Sequence, residues 1–241
     1  MRWIVGDLQG CARELDALLA TIDFDEHRDQ LWACGDLINR GPDSLATLRR
    51  WRELGGRGVI GNHEVYALMV RAGRWPRKHD TLDAVFEAPD AEELLAQLRA
   101  LPALVRLPAE GAAVGDVWLV HAGLDPRWTD LPALAERLGP GEHDDAWLLS
   151  EEVSCATRIR CCTADGERSR YDREPDGCPA PYQPWDAFYS GAATVVHGHW
   201  AWRGYYRGRR TIGLDSGCVY GGPLTAWCMD EDRIVQVPAA S

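Results

Sequence analysis

Three short apolar runs near the start of the chain each stop at a glycine followed by a polar side chain. They are Trp3-Ile4-Val5-Gly6-Asp7, Trp32-Ala33-Cys34-Gly35-Asp36 and Val59-Ile60-Gly61-Asn62. Between the first two, Leu15, Leu18, Leu19 and Ile22 recur at helical spacing, which predicts a helix over Cys11–Ile22. Between the second and third, Pro42 opens a helix that runs to about Leu54 with Leu45 and Leu48 on one face. Strands over Arg2–Gly6, Gln30–Cys34 and Val59–Ile60 alternating with helices predict βαβ units and a mostly parallel sheet. In such a sheet ligands gather beyond the carboxyl ends of the strands.

Farther on, a helix is expected near His63 and another over Ala91–Leu101, then a strand over Val117–Val120 that stops at His121. Further strands are expected over Thr194–Val196, Arg210–Leu214, Leu224–Met229 and Arg233–Val237. From Glu142 to about Tyr189 charge, proline and cysteine dominate, and this stretch (residues 142–190) is read as a cap of loops and short elements within a single domain, 1–241. The 241 residues are 46% hydrophobic, enough for a real core. The net charge of −11 argues against bulk attraction to nucleic acid. No signal peptide or membrane span is apparent, so a cytoplasmic protein is expected. None of the eight cysteines forms a C-x-x-C pair, and they are read as reduced thiols, mostly in or near the core, with a zinc knuckle or a disulfide framework as the alternative.

The polar residues at the strand ends form a chemically coherent set: Asp7, Gln9, Asp36, Asn62, His63, His121 and His199. Each stands near a glycine, which lets the backbone turn and project the neighbouring side chain from the sheet edge. A single Gly-Asp is usually a turn and a single histidine usually a satisfied core or surface group. Five such motifs, all at strand ends, are hard to assign to chance. Asp7, Gln9, Asp36, Asn62, His121 and His199 suit a pair of divalent cations, with Asp36 the natural bridge. Mixed oxygen and nitrogen donors favour manganese, iron, cobalt or zinc over calcium. Two cations about 4 Å apart can clamp a phosphoryl group and acidify a water.

Gly6-Asp7-Leu8-Gln9-Gly10, Gly35-Asp36-Leu37-Ile38-Asn39-Arg40-Gly41, Gly61-Asn62-His63-Glu64, His121-Ala122-Gly123 and Gly198-His199 resemble, in order, the five motifs of the calcineurin-like phosphoesterases. Asn39-Arg40-Gly41-Pro42-Asp43-Ser44-Leu45, Glu87-Ala88-Pro89-Asp90, His121 to Trp128, Gly198-His199-Trp200-Ala201 and Leu214-Asp215-Ser216-Gly217-Cys218 narrow the resemblance to the bacterial symmetrical diadenosine tetraphosphatases. The resemblance implies a two-sheet sandwich flanked by helices. It also implies divalent metal such as cobalt or manganese, and hydrolysis of diadenosine tetraphosphate to two ADP; with Gln9 among the donors, manganese is expected first of two ions, with cobalt, magnesium, iron or zinc as alternatives. In that reading His63 is the acid, and Asp36 and Arg40 serve the reaction, with Arg40 also binding phosphate. Arg158 and Arg160 are candidates for gripping distal phosphates, against the plainer reading of ion-paired or solvated arginines. Trp200, Trp202 and Tyr205 beside Arg203 are read as packing first and as an adenine platform second.

Two departures from the wider family stand out. Gln9 replaces a histidine, and either ligates through its amide oxygen or holds a metal-bound water. Asn39 replaces an aspartate, and is expected to accept a hydrogen bond from His63 and leave it less basic. Asp215 is read as supporting the site, and His79, His143 and His197 as standing outside it. The alternatives are a phosphoprotein phosphatase, an alarmone-binding protein with a weakened metal site, and contact with dinucleoside-capped RNA 5′ ends.

Overall fold

The computed structural model describes residues 1–111 and 113–240. The strands, in chain order, are β1 (Arg2–Val5), β2 (Gln30–Ala33), β3 (Arg57–Gly58), β4 (Leu104–Leu107), β5 (Val117–Val120) and β6 (Cys161–Cys162). They continue as β7 (Gln183–Pro184), β8 (Thr194–His197), β9 (Tyr206–Arg207), β10 (Thr211–Gly213), β11 (Leu224–Cys228) and β12 (Arg233–Val237). The helices are α1 (Ala12–Thr21), α2 (Ser44–Glu53), α3 (Asn62–Arg71), α4 (Asp83–Phe86), α5 (Ala91–Arg99), α6 (Leu131–Arg137), α7 (Asp145–Leu148) and α8 (Glu151–Arg158).

Two five-stranded sheets face each other, ordered β12-β11-β1-β2-β3 and β4-β5-β8-β10-β9, with β6 and β7 pairing apart. The strands β1, β2 and β3 are parallel, as the alternating pattern predicts, and so are β5, β8 and β10. The outer strands β12 and β11, β4 and β9 pair antiparallel, so both sheets are mixed.

Side chains alternate across each strand. Ile4 and Trp227 of one sheet therefore meet Val117, Leu119, Val196 and Ile212 of the other in the inter-sheet core. Trp3 and Val5 point the opposite way and pack with Leu15 and Leu18 of α1. All these side chains are buried, so both faces of β1 are covered. That explains why β1 reads as a continuous apolar run instead of an alternating one.

Two expectations need correction, on the third strand and on the cysteines, and the short elements of the cap become defined. The third strand lies at Arg57–Gly58, two residues ahead of Val59–Ile60, because the parallel register sets Trp32 against Arg57 and Ala33 against Gly58. The cap stretch carries two helices, α7 and α8. Asp144 and Ser150 cap them by accepting the backbone N–H groups of Trp147 and Val153. The cysteines are not all free thiols: Cys161 is bonded to Cys178, their Cα atoms 5.9 Å apart, because the fold brings β6 beside the turn at Pro175–Gly177. The other six are buried free cysteines. Among the described residues no helix is long and apolar enough to cross a membrane.

Candidate metal centre and groove

The loops after β1, β2, β5 and β8 and the N-terminus of α3 converge at one end of the sandwich. Backbone geometry there is unusual. Gln9, Asp36, Asn39, Arg40 and His199 all have positive φ, from 44° to 75°. Non-glycine residues seldom adopt this left-handed conformation, and where they do the surroundings must hold them in it. At Gly198 the backbone passes so close to the Asp7 carboxylate that a Cβ would collide with it. A glycine there lets Asp7 reach the centre and accept the His199 N–H at 3.1 Å.

Asp36 sits in the middle. Its Oδ1 accepts the His63 N–H at 2.9 Å and lies 3.5 Å from His121 Nε2, and its Oδ2 lies 3.6 Å from His63 Nε2. Donor atoms of Asp36, His121 and His199 all fall within 4.8 Å of one another. His121 Nε2 is 3.1 Å from Asn62 Oδ1, while its Nδ1 faces the Cys34 carbonyl at 2.7 Å. That second contact orients the ring and leaves Nε2 for the centre. The ring of His199 lies 4.9 Å from that of His121, and its buried Nε2 has no hydrogen-bond partner among the described residues. Gln9 turns its amide nitrogen toward Asp36 Oδ2 at 3.4 Å. The structure thus gathers Asp36, His121 and His199, with Asn62 beside His121, Gln9 beside Asp36 and Asp7 against the His199 backbone.

The electrostatics favour a cation. Burial, then Asp215 and Asp36, push the Asp7 carboxyl well above its ordinary range. Burial pushes Asp215 to about 7 and, with help from Asp36, Glu64 to about 8. Burial also opposes charge on Asp36, but His121, His63 and the Gln9 amide hold its carboxyl below the usual value. Burial lowers the affinity of His63, His121 and His199 for a proton, so the imidazoles offer lone pairs and no positive charge. Crowded buried carboxylates, neutral imidazoles and an orphaned ring nitrogen together fit divalent ions.

The sequence singled out Asp215, and the structure places it beside Asp7. It did not single out the part played by Glu64. Glu64 is fully buried and accepts the N–H groups of Asp36, Leu37 and Gly61, each at 2.8 Å. It ties the Asp36 loop to the first turn of α3, and its third place in that helix was the available signal.

These shifts set a pH dependence. The folded-state values of Asp215 and Glu64, about 7 and about 8, lie above the ordinary 3.8 and 4.5. The folded protein therefore keeps protons that the unfolded chain has released, and stability falls as pH rises through the folded values. The histidines act in the opposite sense, but only below about 6.5, where the unfolded chain begins to protonate. Metal-free protein is expected to lose about 2 kcal/mol between about pH 6.5 and 8, or about 4–8 °C in thermal midpoint. Saturating divalent metal should flatten the dependence, because the ions hold the carboxyls ionised throughout. Thermal melts in EDTA and in manganese check this, and a metal-free midpoint that rises over the same range would contradict it.

Asn39 departs from expectation. Its amide oxygen accepts the Arg40 N–H at 2.8 Å and the Thr81 N–H at 3.2 Å. The amide nitrogen is left to face His63 Nδ1 at 2.9 Å. Asn39 therefore donates to His63 instead of accepting from it. Nδ1 is the acceptor, and the proton of the neutral ring sits on Nε2, the atom facing Asp36.

Two cavities meet at the centre. One, of about 710 Å³, is lined by Gln9, Asp36, Arg160, His199, Trp202 and Tyr220 among others. The other, of about 470 Å³, is lined by Tyr66, Trp75, Lys78, Leu148 and Arg158 among others. Arg40, Asn62 and His63 line both. The two candidate arginines are therefore divided between them. Arg158 also lies over the Trp75 ring, 5.9 Å from its centroid, and Arg160 donates to the His199 carbonyl at 3.2 Å.

Of the aromatic candidates, Trp200 is buried and donates to the Arg173 carbonyl at 2.6 Å, and Tyr205 packs against the inter-sheet core. Trp202 stands 62% exposed at the rim. Arg203 is paired with Asp186 at 2.9 Å. His197 is buried against Trp185 outside the centre, and His143 stacks on Trp147. Only the backbone carbonyl of His79 comes near the site, 3.3 Å from Arg40 Nη1.

The Calcineurin-like phosphoesterase family model matches residues 2–203. The chain is 41% identical to a symmetrical bis(5′-nucleosyl)-tetraphosphatase of Aromatoleum aromaticum, over 98% of this chain and 96% of that one. It is 36% identical to the protein of the same name from Thioalkalivibrio sulfidiphilus, over 96% of each. A solved structure described as a candidate diadenosine tetraphosphatase superposes with a TM-score of 0.71 at 31% identity, covering 100% of this chain and 94% of that one. The chain belongs to the calcineurin-like phosphoesterases and, within them, to the symmetrical bis(5′-nucleosyl)-tetraphosphatase family.

Proposed function

We propose that the protein hydrolyses diadenosine tetraphosphate at its central anhydride bond, releasing two ADP. The observation that carries this reading is the pair of cavities sharing Arg40, Asn62 and His63. A substrate with two equal halves would lay one half in each arm and its middle over the shared residues. Each arm offers an arginine for phosphate and an aromatic side chain for a base: Arg158 with Trp75, and Arg160 with Trp202. The segment 142–190 serves as a cap, since it supplies Arg158 and Arg160.

Two divalent ions held by Asp7, Gln9, Asp36, Asn62, His121 and His199 would polarise phosphoryl oxygens and acidify water. Asp7, Asp36 and Asn62 present oxygen, and Gln9 does so once its amide turns over from Asp36, which favours manganese over softer metals. Arg40, at the junction of the arms, presents a planar fork to the equatorial oxygens of the reacting phosphate. His63 presents Nε2–H to the leaving oxygen. Asn39 occupies Nδ1, so His63 works as a neutral hydrogen-bond donor. That suffices for a leaving diphosphate, which ionises at about pH 6 like other phosphate groups. An alkoxide leaving from a phosphoprotein would need a full proton, so the Asn39 arrangement favours an anhydride substrate.

Product analysis tests the reading. With diadenosine tetraphosphate and manganese, ADP should be the sole nucleotide product. Equal AMP and ATP, or faster release of phosphate from a phosphopeptide, would overturn it.

A further inference from the structure

A smaller cavity of about 410 Å³, apart from the groove, is lined by Cys11, Glu14, Pro42, Asp43, Cys218 and Ala240 among others. The thiol sulfurs of Cys11 and Cys218 and a carboxylate oxygen of Glu14 all lie within 4.8 Å of one another. The three residues are buried, at 3%, 5% and 8% exposure. Cys11 precedes α1 and Glu14 stands in its first turn, three residues on, so their side chains share a face. Cys218 comes from the short turn Cys218–Tyr220, far away in sequence.

Glu14 accepts the Ala240 N–H at 2.8 Å, and among the described residues no lysine or arginine pairs with it. A buried carboxylate normally has a cationic partner or binds a metal. Here its neighbours are two thiols, which are soft donors.

We propose that Cys11, Glu14 and Cys218 bind one thiophilic divalent cation of the zinc type, separate from the catalytic ions. Two sulfurs and one oxygen within this spacing match a tetrahedral ion, with the fourth position facing the cavity. The two sites select differently. The catalytic centre has only oxygen and nitrogen donors, whereas the second site has sulfur. Cys11 follows Gln9 by two residues and Cys218 follows Asp215 by three. An ion here clamps together the two loops that flank the catalytic groove.

Cobalt titration of the stripped, reduced protein tests the proposal. None of the candidate catalytic ligands is a thiol, and the part of a thiolate-to-cobalt charge-transfer band that is lost in Cys218→Ser reports the second site. The band should appear in the wild type and vanish in Cys218→Ser, with one fewer cobalt bound per chain. Glu14→Gln keeps both thiols and guards against a cysteine variant that misfolds. It should retain the band but need about tenfold more cobalt to develop it. Absence of the band in the wild type, or its survival in Cys218→Ser, would overturn the proposal. So would a Cys11–Cys218 disulfide forming in air in preference to metal binding.

Discussion

Replacing Asp36 by asparagine is expected to cut turnover by at least about 10³ and to empty much of the metal centre. Asp36 lies within 4 Å of two imidazole nitrogens, those of His63 and His121, through its two separate oxygens. Asparagine matches its shape and can still accept the His63 N–H, so the start of α3 should stay in place. It cannot offer two anionic oxygens to two cations at once. The measurement is paired: bound manganese per chain by elemental analysis, and thermal melting in EDTA. Lost metal with a melting point close to wild type assigns the effect to the missing charge. Near-normal metal content and turnover would show that Asp36 does not join the two sites.

Replacing His63 by alanine is expected to lower turnover by about 10²–10³, the range for loss of one well-placed donor to a developing negative charge. Metal content should hardly change, because His63 faces the groove from the first turn of α3 and Asn62 supplies the neighbouring donor. Asn39→Asp is the informative companion. An aspartate would make His63 Nδ1 a donor and favour the imidazolium. The pH–rate profile should then move upward by about one unit, roughly the scale of one added buried partner. An unmoved profile, with His63→Ala at wild-type speed, would remove His63 from the reaction.

Much of this site can be read along the chain because Asp7, Asp36 and Asn62 each follow an apolar run closed by glycine and His121 directly ends another, a pattern that marks a strand end without tertiary information. The parallel order of β1, β2 and β3 follows from the same runs. Other features depend on distant partners. The direction of the Asn39 amide is set partly by Thr81, across 42 residues, and no local pattern encodes it. The strand β4 was missed because Leu104-Val105-Arg106-Leu107 is short and carries a charge at an outward position. Helix α8 had a visible start, Ser150 followed by Glu151 and Glu152, masked by the proline- and cysteine-rich stretch beyond it. The Cys161–Cys178 pairing depends on how that stretch folds back, and spacing alone does not reveal it. That two sheets are present, and not one, came from family resemblance, since periodicity describes single strands and not the layer each one joins.

The left-handed residues at the centre bear on how such an enzyme can be improved. Gln9, Asp36, Asn39, Arg40 and His199 each occupy backbone that glycine would occupy more comfortably, by about 1 kcal/mol apiece. A laboratory selection for heat resistance alone would reward glycine at these five places and discard the machinery that makes the protein useful. Gains in robustness are better sought on the outer helices, with these corners of the chain kept out of the mutational library.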